Sequence, residues 1–185
     1  MINIPAQFAS LKYIGPIKWA DIFGKWREYE AGQESWKRHW EERGFASWDE
    51  WRVAYAAPLS PDKLDWQLYE VGEPLKDFPN IYGVPTRSWV DKAYGGKTTK
   101  LLKDLLSHPI ITDNRKIDEI KKNFPKETML TGLVYKNGIV LIEGMHRACA
   151  IAGWDPKIPF TGKVTLALAA WDKQDIPVIG GNYKK

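Results

Sequence analysis

The sequence predicts an α+β protein, and three observations carry that expectation. In the first third of the chain, apolar residues recur at helical spacing, with tryptophan in most of the slots. The second half turns to strand-like apolar runs flanking an Asn-Gly turn. One of those runs, Ile139-Val140-Leu141-Ile142, then passes through Glu143-Gly144 straight into a short helical pattern.

Trp19, Ile22, Phe23 and Trp26 follow the i, i+3, i+4, i+7 rule and share one helical face. Trp36 and Trp40 are one turn apart. Ser47-Trp48-Asp49-Glu50 begins like a capping box, which puts Trp48, Trp51 and Tyr55 on one side of a helix that Pro58 stops. Residues 16–57 thus read as two or three short amphipathic helices, separated at Gly32 and Gly44. Eight of the ten tryptophans lie before residue 91, and two uses compete for them. Rings at helical spacing form a core, whereas Trp36-Lys37-Arg38-His39-Trp40 interleaves rings with basic residues, as in a stacking platform for nucleic-acid bases. Lys37 and Arg38 fall off the Trp36/Trp40 stripe, which favours packing.

Further on, residues 65–71 alternate as a strand, and the Pro, Gly, Asn and Asp of 72–85 predict a loop. Residues 98–106 read as a helix with Leu101, Leu102, Leu105 and Leu106 on one face, and 116–124 as another that Pro125 ends. Then come a strand at 129–135, a hairpin turn at Lys136-Asn137-Gly138 and a returning strand at 139–142. The helix Met145–Ala152 follows with Gly153 as its C′ residue, then a last strand at 163–170 and a loose tail, 180–185. The organisation expected is a Trp-rich helical region, 1–60, ahead of an α+β domain, 61–185, the two able to form one unit.

The chain has 185 residues, enough for one domain with a real core. Its formal net charge is +4, unevenly placed: residues 1–90 carry 11 basic against 13 acidic side chains, residues 91–185 carry 16 against 10. A cationic half favours anionic partners such as nucleotides, phosphorylated metabolites or nucleic acid. The single cysteine, Cys149, excludes an internal disulfide and a multi-cysteine metal site. The first ten residues lack the pattern of a signal peptide, and no apolar run reaches membrane-spanning length. A cytoplasmic protein with no membrane partner is the expectation; oligomeric state is left open.

Two stretches are candidates for anion binding. The segment from Asp91 to Thr98 has the Gly-Lys-Thr ending of a phosphate-binding P-loop, but the motif needs glycine where Asp91 stands, and the preceding residues are short and polar rather than a buried strand. What remains there is Gly95, Gly96 and Lys97 ahead of a predicted helix, whose free amides and lysine suit an anion. The Gly144 junction is the stronger site. A strand running directly into a helix aims the unpaired amides at one spot, and the helix dipole adds positive charge there. Gly144 permits close approach of a ligand, Arg147 offers a forked pair of donors, and His146 donates as well. Glu143 either pairs with Arg147 or orients a hydroxyl or a metal-bound water.

The run Ile139-Val-Leu-Ile-Glu-Gly-Met-His-Arg-Ala-Cys-Ala-Ile-Ala-Gly153 resembles the strand–Gly-x-His/Arg-Arg–helix signature of the ParB/sulfiredoxin superfamily. A helix before a β-hairpin, the signature helix ending in glycine, and a later strand agree with it over roughly residues 105–170. The resemblance implies a small mixed sheet with flanking helices, preceded here by the Trp-rich region. It further implies a nucleotide whose phosphates are cradled by Gly144, the Met145 amide, His146 and Arg147, with Arg115 near the ligand. Where sulfiredoxins carry their nucleophilic cysteine this chain has Met145, and a thioether forms no thiolate, so sulfinic acid reduction is not expected. About thirty residues follow Gly153, too few for the helix-turn-helix module of chromosome-partition proteins plus a strand. The expectation is a stand-alone member acting as a phosphotransferase or nucleoside triphosphatase on ATP or CTP with Mg²⁺, Glu143, His146 and Asp113 being the candidate catalytic groups. The alternative is a non-catalytic module of the same fold that binds nucleic acid or a protein.

Overall fold

Leu130, Leu133, Leu141, Ile142, Leu166 and Leu168 are all sealed from solvent, on strands whose successive side chains point to opposite faces. Such strands need cover on both sides, and the chain supplies it with helices. The structure, a computed structural model, describes residues 2–183. Five strands, β1 (Leu11–Pro16), β2 (Gln67–Val71), β3 (Glu127–Tyr135), β4 (Gly138–Glu143) and β5 (Lys163–Trp171), form one mixed sheet in the order β1-β2-β5-β3-β4. Only β3 and β5 run parallel; the other pairs are antiparallel. The helices are α1 (Trp19–Glu30), α2 (Glu34–Glu41), α3 (Trp48–Ala56), α4 (Pro74–Asp77), α5 (Arg87–Ala93), α6 (Pro109–Thr112), α7 (Arg115–Lys122) and α8 (Met145–Ala152). β4 and α8 together make the crossover that returns the chain beside β3 as β5.

The Trp-rich segment folds into three helices, as its apolar spacing predicts, and most of its indoles are core. Trp26, Trp48 and Trp51 are buried, and Trp19 lies between Trp66 and Trp26, with ring centroids 5.6 and 5.1 Å away. Ser47 caps α3 by accepting from the Glu50 amide at 3.1 Å, while Glu50 reaches back one residue beyond the usual capping box, to the Ala46 amide at 2.8 Å. This layer is stitched to the sheet by polar bonds within apolar surroundings. Trp26 Nε1 donates to Thr131 Oγ1 (2.9 Å), Tyr55 Oη to the Ile142 carbonyl (2.8 Å), and the Met129 amide to Tyr29 Oη (3.2 Å). The N-terminal region also supplies β1, so helices and strands of both halves of the chain share one buried core.

Between α1 and α3 lies a buried ion pair. Arg52 donates through Nε to Glu30 Oε2 (2.7 Å) and through Nη2 to Glu30 Oε1, and Trp48 Nε1 adds a third bond to the same carboxylate at 3.1 Å. The guanidinium lies 4.4 Å from the ring centres of both Trp51 and Tyr55. A charge this deeply buried is tolerable only when paired and hydrogen-bonded, and both partners meet that condition.

The structure departs from the sequence reading in several places, beginning with β1 and α5, which the sequence reading did not contain. Residues 98–106 are not a helix: the Gly83 amide donates to the Lys100 carbonyl (2.9 Å) and the Leu102 amide to the Ile81 carbonyl (2.9 Å), so the backbone pairs with segment 81–83 and only a short 3₁₀ turn follows. The predicted loop at 72–85 contains α4 and a 3₁₀ turn. In the hairpin, Tyr135 pairs with Gly138, leaving Lys136 and Asn137 as the two-residue loop, with the positive φ at Lys136. Gly138 is already a strand residue, and its role is steric: a Cβ there would meet the Tyr82 ring at 2.8 Å. Gly153 ends α8 at φ −101°, outside the left-handed region expected of a C′ glycine. Among the described residues no helix is long and apolar enough to cross a membrane.

The ion pair generates a stability prediction. Glu30→Gln leaves the Arg52 charge buried without its counter-ion and is expected to cost about 3–5 kcal/mol in urea unfolding. Replacing both residues by methionine should cost much less than that single change.

Candidate functional site

The end of β4 is shaped by a bulge. Thr131 pairs with Glu143 and Gly132 with Leu141, so Ile142 has no opposite number, and its carbonyl is taken by the Tyr55 hydroxyl. Gly144 follows at φ +90°, a conformation side chains resist, and a Cβ there would lie 2.7 Å from Leu130 Cδ2. Glycine is therefore demanded by the turn and by packing under it, in addition to any ligand above it. The first hydrogen bond of α8 runs from the Ala148 amide to the Gly144 carbonyl, so the amides of Met145, His146 and Arg147 have no partner among the described residues.

These amides open into a cavity of about 500 Å³. Its walls come from the whole chain: Tyr29, Glu30, Trp36, His39 and Arg43 from the first two helices and the turn after them, Trp51, Arg52 and Tyr55 from α3, Lys116 from α7, and residues 143–147. The segment after β5 crosses one side. Ile179 bonds to the backbone at Pro85 and Arg87 (2.9 and 3.3 Å), and Gly180, Gly181 and Tyr183 then border the cavity. The described part of the tail is thus held in place, which the composition of the tail did not predict.

The charge in this cavity is mostly positive. Arg43, Arg52, Arg87, Lys116 and Arg147 face Glu30 and Glu143. Burial pushes the His146 imidazole down to about 4, helped by Lys116 and Arg147, and burial together with Arg43 and Arg52 does the same to His39. Both rings are neutral near pH 7. Lys116 has no carboxylate within ion-pair distance among the described residues; its ammonium sits 4.7 Å from the centre of the Trp36 ring. Burial, followed by the neighbouring Arg147 and Arg52, lowers its proton affinity.

Arg147 is placed where the sequence put it but is not a free fork. Its Nη1 donates to Thr128 Oγ1 (2.6 Å) and the Met129 carbonyl (3.2 Å), its Nη2 to Glu143 Oε1 (2.5 Å), and its guanidinium lies 4.1 Å from the Tyr29 ring centre. Glu143 is buried, with Oε2 lacking a partner among the described residues. Burial raises its pKa against the opposing pull of Arg147.

Gly144, Met145, His146, Arg147 and Glu143 are brought together, whereas Asp113 and Arg115 are not. Both are exposed at the start of α7 and line no part of the cavity; the neighbouring Lys116 does. Met145 contributes its amide only, since its side chain is buried and its sulfur accepts from the Val84 amide at 3.4 Å. Gly95, Gly96 and Lys97 follow α5 rather than precede a helix, so no helix amides collect there. Cys149 is a buried core residue whose thiol burial raises to about 12. Lys116, His39, Arg43 and Tyr183 were missed by sequence reasoning. Lys116 had a signal: it stands one helical turn before Ile120, on an inward face.

The residues present do not build a magnesium site. Both Glu30 oxygens are spent on Arg52, Glu143 offers a single unpaired oxygen beside a guanidinium, and no group of three His, Cys, Asp or Glu side chains occurs among the described residues. A divalent ion would have to arrive on the ligand's own phosphates. Compared with known proteins, the chain matches no family model, no curated protein and no solved structure.

Acid should weaken the fold through the two histidines. Each has a folded-state pKa near 4, below its ordinary 6.5, so the unfolded chain binds protons first as pH falls. Their share of stability is full above pH 6.5 and is lost between there and about 4. Glu143, shifted upward, works in the opposite sense. Urea unfolding of wild type and His146→Gln across this range should show a shallower decline in the variant, since the carboxylates titrating in both proteins cancel in the difference.

Proposed function

We propose that this cavity binds a nucleotide by its phosphates and that the protein is a phosphotransferase or nucleoside triphosphatase, a stand-alone relative of the ParB/sulfiredoxin-like proteins. One observation carries the reading: the start of α8, whose Met145, His146 and Arg147 amides have no partner among the described residues, lines a cavity whose cations outnumber its acids, together with Lys116, which has no carboxylate partner among the described residues. Helix amides and the helix dipole favour a phosphate over an uncharged ligand. The passage from β4 through Gly144 to α8, with α7 packed against α8, supports kinship to the Gly-x-His/Arg-Arg signature.

In this reading the amides of Met145, His146 and Arg147 hold the terminal phosphate, and Lys116 turns from Trp36 to neutralise it. Neutral His146 donates one further hydrogen bond. Arg147 acts through Glu143 and β3, fixing the turn instead of gripping the ligand. Glu143, already in the cavity wall, takes the proton from the attacking hydroxyl or water. That oxygen bonds to the terminal phosphorus while the bond from phosphorus to the bridging oxygen breaks, and the diphosphate departs. Asp113 is too far outside the cavity wall for this role.

The test is thermal unfolding with ATP, ADP, CTP and GTP, each with and without Mg²⁺, on wild type and Lys116→Ala. Ligand at one hundred times its dissociation constant adds about 2.7 kcal/mol, a rise of roughly 5–10 °C for a domain this size. Lys116→Ala should lose most of that rise, with its ligand-free midpoint near wild type. Arg147→Ala is the poorer probe, because it breaks the bonds to Thr128, Met129 and Glu143. No shift with any nucleotide sinks the proposal and directs attention to nucleic acid as the anion.

A further inference from the structure

Resting on the phosphate-binding reading, we infer that the part of the cavity walled by Trp36 and His39 of α2, by Arg43 and by Tyr183 is a subsite for the ligand's aromatic base. The phosphate end uses only part of the cavity. A volume of about 500 Å³ lies within the range that encloses a whole small-molecule ligand. Trp36 and Tyr183 add aromatic rings to the cavity's wall, and His39 adds an uncharged polar group.

Trp36 is the one tryptophan of α1 and α2 that borders the cavity. Its ring packs against Trp51 at 5.4 Å, which fixes the indole in place, and it carries the Lys116 ammonium at 4.7 Å. A lysine resting on a ring with no carboxylate partner can be exchanged for a neutral ring once a phosphate attracts it away. Phosphate binding and base stacking thereby become coupled through one side chain.

The edge of a base needs donors and acceptors, and this wall has both. His39 stands edge-on to Trp36 (5.5 Å) and Trp51 (5.0 Å), and its uncharged imidazole offers one N–H and one lone pair. Arg43 donates from Nη1 to the His39 carbonyl (2.9 Å), while its buried Nε has no partner among the described residues. Its guanidinium lies 5.4 Å from the ring centre of Tyr183, a residue two-thirds exposed at 66 %. Tyr183 is carried there by Gly180 and Gly181, at φ +68° and +74°, and by an Asn182 bond to the Ala54 carbonyl (3.1 Å). A phosphate would use neither the aromatic walls nor the neutral histidine; a planar heteroaromatic ring would use all of them.

Isothermal titration of ATP, CTP, GTP, UTP and inorganic tripolyphosphate separates the two readings. At least one nucleotide should bind tenfold or more tightly than tripolyphosphate, since stacking on one aromatic side chain is worth about that or more. Tyr183→Ala should narrow the gap with tripolyphosphate affinity unchanged; Trp36→Leu should narrow it too, while also changing tripolyphosphate affinity because it removes the ring on which Lys116 rests. Tyr183, being exposed, can be removed without unfolding the chain, which circular dichroism verifies. Loss of discrimination in either variant supports the subsite. Equal binding of nucleotides and tripolyphosphate by wild type overturns it while leaving the phosphate site standing, and so does discrimination that survives in both variants. If neither nucleotides nor tripolyphosphate bind, the phosphate reading falls and the base subsite with it.

Discussion

Four charges sealed between the Trp-rich helices and the sheet are the constraint on which the arrangement depends. Arg52 and Glu30 close one pair, Arg147 and Glu143 the other. A lone buried charge is costly, so α1 cannot part from α3, nor α8 from the end of β4, without leaving one unanswered. The aromatic rings around them, Trp51 and Tyr55 on Arg52 and Tyr29 on Arg147, exclude water and accept the cations on their faces. Hydrophobic burial supplies most of the driving force; the pairs hold each layer's own elements together, while the bonds of Trp26 to Thr131, Tyr55 to Ile142 and Met129 to Tyr29 seat one layer on the other. The candidate site is the space left beside them.

Much of the fold was readable because its signals were local. The strand–Gly–helix passage at 139–152 fell where the residues put it, since Gly144 must adopt a left-handed turn and α8 has an unbroken apolar face. Trp19, Ile22 and Trp26 announced α1 by spacing alone. Residues 98–106 misled for the converse reason. Their leucines match a helical face, yet the backbone finds better partners in segment 81–83, about twenty positions earlier and itself outside the five strands. Tertiary pairing overrode a pattern that had no cap at either end.

The site was half legible. Its Gly144–Arg147 end is contiguous in sequence, whereas the rest of its wall is assembled from α1, α2, α3, α7 and the segment after β5. The buried pairs did leave a trace. Glu30 continues the stripe of Ile22 and Trp26 at intervals of four, and Arg52 belongs to the stripe of Trp48 and Tyr55. An acid on one buried stripe and a base on another are the mark of an internal ion pair. Choosing between Arg115 and Lys116 was likewise a matter of helical phase.

The wall built by Tyr29 at one extreme and Tyr183 at the other has a further consequence, for synthesis. A growing chain carries the α8 turn and its amides well before it carries the segment that borders them. The cavity reaches its final form only after Tyr183 has emerged from the ribosome, so any occupant would reinforce a chain that extends through Tyr183 and offer little to one that stops at α8.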